Sequence, residues 1–120
     1  MGKKGFTLIE MMIGLVLLAI GLLAIAGMQI TSIKGNFFSA NMTQASILAQ
    51  DRLEGLRQLD FNDAGLSAGT HNDGTIQGTV FTRQCNISVV PGTTMLSITV
   101  TVSWRDSTDH SISFSTVRAQ

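Results

Sequence analysis

One carboxylate stands where carboxylates are costly. Glu10 opens an uncharged apolar run, Met11 to Met28, and Lys3 and Lys4 precede it. The run is about 18 residues long, the lower end of what crosses a bilayer as a helix. A charge inside such a helix costs roughly 2.5–3.5 kcal/mol even on the lenient insertion scale. A lone glutamate there needs a partner of opposite sign. The chemistry open to it is electrostatic: pairing with a cation where the effective dielectric is low.

The other reactive side chains are scattered. Cys85 is the single cysteine, so no intramolecular disulfide can form. It shares one side of a strand with Phe81, Arg83, Ile87 and Val89, beside the apolar Phe81 and Ile87, and reads as a buried small hydrophobe. His71 falls in a polar loop and His110 opens a strand, too far apart in pattern to make a metal site. Asp60-Phe-Asn62-Asp63-Ala-Gly65 resembles half of a calcium loop, but the downstream bidentate glutamate is missing. Asp51, Arg52, Glu54 and Arg57 form a solvated helical face. No nucleophile stands with a base, and no ligand cluster or glycine-rich phosphate loop is present. The reading is therefore non-enzymatic, with no cofactor and no metal. A membrane-anchored periplasmic enzyme or binding module is the distant alternative.

Composition narrows the class. The 120 residues are 44% apolar and 13% charged, with a net charge of zero. That is more apolar than an ordinary soluble domain of this size. Without the segment through Gly5, 6 basic face 8 acidic side chains, a net of −2. Nucleic acid has no basic patch to bind. Ala24-Ile25-Ala26 imitates a signal-peptide cleavage site, yet the apolar run is long for a signal and Glu10 is wrong inside one. The expectation is a retained anchor. Lys3 and Lys4 put the N-terminus on the cytoplasmic side.

These residues need elements to position them. From Gln29 the chain turns amphipathic: Ile30, Ile33, Phe37, Ala45, Leu48, Ala49, Leu53, Leu56 and Leu59 recur at threes and fours. No proline interrupts Phe6 to Asp60. This predicts one helix of roughly 50 residues, about 75–80 Å long. Residues 6–28 are its transmembrane part and 29–60 its amphipathic part. Gly14 and Gly21 lie seven apart, on one face, where another helix could approach closely. Residues 61–75 read as a loop. Over 76–120 the period is two, with turns at Pro91-Gly92 and at Arg105–Asp109. Three strands in an antiparallel meander are expected, the cleanest being Met95 to Trp104. Trp104, Ile112 and Phe114 face inward. The apolar sheet face needs a cover, and the second half of the helix supplies it. The predicted fold is α+β: a long N-terminal helix packed on a small antiparallel β-meander.

Gly5-Phe6-Thr7-Leu8-Ile9-Glu10, with a short basic leader before it and an apolar helix after it, resembles the class III signal of type IV pilins and their relatives. Leu17 to Gln29, Ile98 to Trp104 and Ser115 to Ala119 further resemble PilV-type minor pilins. The I-type minor pseudopilins of type II secretion look similar in the same stretches.

The resemblance implies a function. Residues 1–5 would be a leader, removed by a prepilin peptidase between Gly5 and Phe6, with N-methylation at Phe6. Glu10 would neutralise the Phe6 amine of a neighbouring subunit during assembly. Implied partners are that peptidase, other major and minor pilins, the inner-membrane assembly platform and the lipid bilayer. Implied location is the inner membrane, single-pass with a periplasmic head, and then a surface pilus. Many major pilins carry a proline in the middle of this helix; here Gly27 occupies that stretch.

Overall fold

The structure is a computed structural model that describes residues 5–119. Lys3 and Lys4 lie outside the described residues. Helix α1 runs Leu8–Gln58. Four strands follow a 3-10 turn at Ala64–Leu66: β1 (Gly69–Thr75), β2 (Thr82–Val89), β3 (Leu96–Arg105) and β4 (Asp109–Arg118). Contacts divide the chain into two units, 1–39 and 40–120.

In the first unit every described residue is exposed. Leu15, Leu17, Leu22, Leu23 and Ile25 are among the large apolar side chains that find no protein cover. This part of α1 is long and apolar enough to cross a membrane. A helix is also the form in which one segment satisfies its own backbone groups in hydrocarbon.

The second unit folds around the remainder of α1. Ala45, Ala49 and Leu56 are buried, and Leu48 and Leu53 pack partly against them. The threes-and-fours pattern thus lies against the core from Ala45 onward. The sheet supplies Phe81, Cys85 and Ile87 from the β2 segment and Leu96, Ile98, Val100, Val102 and Trp104 from β3. Every second residue of β3 is buried, as the strict alternation predicts. Burying each large side chain of this set contributes about 1.5–3 kcal/mol. The sheet is antiparallel and its strands stand in chain order. Cys85 pairs with Val100 and Ile87 with Ile98. Val100 pairs in turn with Phe114, and Val102 with Ile112.

Two strand arginines fasten the sheet to α1. Arg83 Nη1 donates to the Leu48 carbonyl at 3.3 Å, and its Nε donates to Asp73 Oδ2 at 2.8 Å. Asp73 also lies 3.1 Å from Arg52 Nε, and so joins helix, β1 and β2. Arg118 Nη1 donates to the Leu56 carbonyl at 3.2 Å, and its guanidinium lies over the Phe61 ring. Leu56 is in the last turn of α1, where carbonyls otherwise lack partners.

The Pro91 turn has the expected form. Gly92 takes φ +76°, and Thr93 N donates to the Val90 carbonyl at 3.1 Å. This is the type II geometry that proline followed by glycine favours.

Two expectations need correction. The sheet has four strands rather than three, because part of the segment 61–75 is not loop. Asp63 caps the 3-10 turn through the Gly65 N–H, and β1 then pairs with β2. Its sequence, GTHNDGT, has no apolar alternation, and none of its residues is buried. Pairing with β2 makes it a strand despite its weak propensity. The second correction is Val89, expected on the inward side of its strand: it is 54% exposed, past the end of the core.

Candidate functional site

The local sequence stops α1 short of the Gly5–Phe6 bond. Gly5, Phe6 and Thr7 are outside the helix and exposed, Phe6 to 79%. The Thr7 hydroxyl accepts from the Glu10 N–H at 3.2 Å, and the Thr7 carbonyl accepts from the Met11 N–H at 3.1 Å. Thr7 is therefore the N-cap and Glu10 the third helical residue. The spacing Thr-x-x-Glu is the capping-box signature. It was readable in the sequence, where Glu10 drew attention only as a charge and Thr7 drew none.

Glu10 gains from this position. A carboxylate in the first turn sits in the favourable end of the helix dipole. It is exposed, so a cation from outside the chain can reach it. Gly14 and Gly21 are open as well: a Cβ built on either meets nothing within 4 Å. The site residues Gly5, Phe6 and Glu10 fall together at one helix start. Gly14 and Gly21 follow about one and about three turns beyond Glu10, on the same exposed apolar surface.

The other candidates fall elsewhere. Cys85 is fully buried between β1 and β3. Burial pushes its thiol up from the ordinary value, against a smaller downward pull from Arg52 and a further push from Asp73. His71 on β1 meets the Ser67 carbonyl at 2.8 Å. His110 on β4 meets Asp106 Oδ1 at 3.1 Å and Thr108 Oγ1 at 3.0 Å. The two histidines thus stand on opposite edge strands of the sheet. Among the described residues no group of three His, Cys, Asp or Glu side chains could hold a metal ion.

Sequence reasoning also missed Arg83 and Arg118 as fasteners. Each occupies an inward position of a period-two strand. An arginine on an apolar face signals a buried acceptor.

Residues 1–26 match the family model described as the prokaryotic N-terminal methylation motif. No curated protein and no solved structure matches the chain significantly. The matched motif contains Gly5, Phe6 and Glu10 and ends inside the exposed apolar part of α1. The motif indicates a pilin-like or pseudopilin substrate of prepilin peptidase, and it fits anchoring in the inner membrane. The chain carries this class III signal ahead of a long helix and an antiparallel sheet, a type IV pilin-like architecture.

Proposed function

We propose that this protein is a minor pilin, a structural and priming subunit of a type IV pilus. Prepilin peptidase cuts it between Gly5 and Phe6 and methylates the Phe6 amine. The observation that carries the reading is the methylation motif at the start of an apolar helix with no cover of its own.

The mechanism is electrostatic and steric. Before assembly the apolar part of α1 lies in the inner membrane, with the N-terminus cytoplasmic and the sheet unit periplasmic. Cleavage creates a cationic amine at Phe6, which stays charged when methylated. Glu10 neutralises the corresponding amine of a neighbouring subunit. Either charge alone is penalised in a low dielectric, whereas the pair is not, so the match favours one register between subunits. The apolar helix surface passes from lipid into a bundle of similar helices. There close packing sets the affinity, and Gly14 and Gly21 allow it. The assembly platform and other major and minor pilins are the partners, and the mature location is the surface pilus.

The resemblance to I-type pseudopilins gives the second reading, a subunit of a type II secretion machine. N-terminal sequencing with intact mass from native membranes tests what the two share: the mature chain begins at methylated Phe6. A chain that begins beyond Met28 overturns both. A deletion strain separates them. Loss of pili with secretion intact supports the minor pilin, and loss of exoprotein secretion with pili intact moves the protein to the secretion machine.

A further inference from the structure

We infer that Thr7 is a positioning residue for leader removal, because its cap fixes where α1 starts relative to the Gly5–Phe6 bond. The inference rests on the cleavage reading above. Three observations meet at this residue. The Thr7 hydroxyl accepts from the Glu10 N–H at 3.2 Å, and the Thr7 carbonyl takes the first helical bond, from Met11 N–H at 3.1 Å. Helix α1 begins at Leu8, so Gly5, Phe6 and Thr7 remain outside it and exposed. Thr7 is the only Ser, Thr, Asn or Asp among residues 1–30.

The last observation makes the start fragile. No other side chain in this stretch can take over the cap. Downstream the residues are strong helix formers, so the helix has no reason to begin later. Upstream lies Gly5, and glycine is an adequate N-cap because it needs no side chain. A chain without the Thr7 hydroxyl can start its helix at Phe6, with Gly5 as the cap. The Gly5–Phe6 bond then enters the first turn. Proteolysis concentrates on exposed, non-helical backbone, and helical backbone is a poor substrate. The Thr7 cap keeps the two start positions apart and holds the bond in the cleavable one.

The same contact sets Glu10. In a capping box the third helical residue turns back toward the N-cap. A helix that starts two residues earlier moves Glu10 to the fifth helical position, beyond the first turn. Thr7 thus couples the two events of maturation, presentation of the bond and placement of the carboxylate.

The test uses the full chain in detergent micelles or vesicles with prepilin peptidase. Thr7→Val keeps the shape and removes the hydroxyl, and Thr7→Ser keeps the hydroxyl. Initial leader removal should slow roughly fivefold in Thr7→Val, the size of a typical lost cap, and stay near the parent rate in Thr7→Ser. Amide exchange of the uncut chain reads the helix start without the enzyme. In Thr7→Val the Glu10 amide should stay protected, now by the Phe6 carbonyl, while protection newly appears at the Ile9 amide, whose partner becomes the Gly5 carbonyl. Equal cleavage of the Val variant, equal slowing of Ser and Val, or an unmoved helix start would each overturn the inference. If instead the parent is not cut at Gly5–Phe6 at all, the processing reading fails and takes the positioning role with it. Unchanged exchange with normal parental cleavage sinks the positioning role alone.

Discussion

Arg83 of β2 donates to the backbone carbonyl of Leu48 in α1, across 35 residues of sequence. The donor side chain is only 17% exposed, and Asp73 holds its Nε. An arginine thus replaces an apolar side chain at one inward position of β2. It does so because its fork can meet a carboxylate and a carbonyl together.

Removing that fork should destabilise the sheet unit. Arg83→Ala leaves Asp73 with Arg52 alone. The expected loss is about 1.5–3 kcal/mol, the range for hydrogen bonds to charged groups. Arg83→Lys should recover only part, since an ammonium cannot reproduce the two directions. Trp104, the single tryptophan, is buried and reports unfolding by its fluorescence.

Core and exposed leucines should separate cleanly. Leu56 is 1% exposed and Leu23 is 73% exposed. Leu56→Ala should lower the unfolding free energy of the full chain by about 2–5 kcal/mol. Leu23→Ala should change it by less than about 0.5 kcal/mol, as surface substitutions do. Denaturant titrations in detergent, followed at Trp104, give both values.

The proposed processing and assembly roles of Gly5 and Glu10 carry different expectations. Gly5→Ala should block leader removal, seen as retained mass. Glu10→Ala should be cut normally yet assemble poorly, seen as a loss of surface filaments with normal membrane levels. Normal assembly of Glu10→Ala would remove the electrostatic role.

Acid should loosen the turn between β3 and β4. The Thr108 N–H, foremost, holds the Asp106 carboxyl below the usual carboxylate range, with the Ser107 N–H and the His110 ring assisting. A depressed folded pKa means stability that is present above the ordinary carboxylate value and lost as pH falls through the lowered one. Asp106→Asn should flatten that acid dependence by losing the carboxylate's contribution at neutral pH, so that the variant falls toward the parent's acid value. Urea midpoints measured from neutral pH into this acid window would show it.

Cys85 gives the alkaline counterpart. Its raised pKa means stability present below the ordinary thiol value and lost as pH rises through the folded one. The buried thiol should resist alkylation in the native chain and react at the rate of unfolding. Fast labelling under native conditions would contradict its burial.

Much of the fold can be read from particular residues. Leu96, Ile98, Val100, Val102 and Trp104 alternate so strictly that β3 has no competing reading, and all five are buried. Pro91-Gly92 names its own turn type. Ala45, Ala49 and Leu56 mark the helix face that meets the sheet. β1 was illegible because an edge strand with polar residues on both sides has no period to detect. The bond from Arg118 to Leu56 was illegible because it joins residues 62 apart, a distance that no local pattern encodes. At the N-terminus, Gly5, Phe6 and Glu10 were legible through a motif, whereas Thr7 was legible through a spacing that went unread.

The strands stand in the sheet in the order in which they are synthesised. Each can therefore zip onto its predecessor as it emerges, without waiting for a distant segment. The C-terminal turn of α1 is different, since its Leu56 carbonyl meets Arg118 only after β4 has been made. Vectorial synthesis thus leaves this clasp until last, and a chain cut short before Arg118 would keep the Arg83 clasp on α1 while its C-terminal turn stayed unlatched.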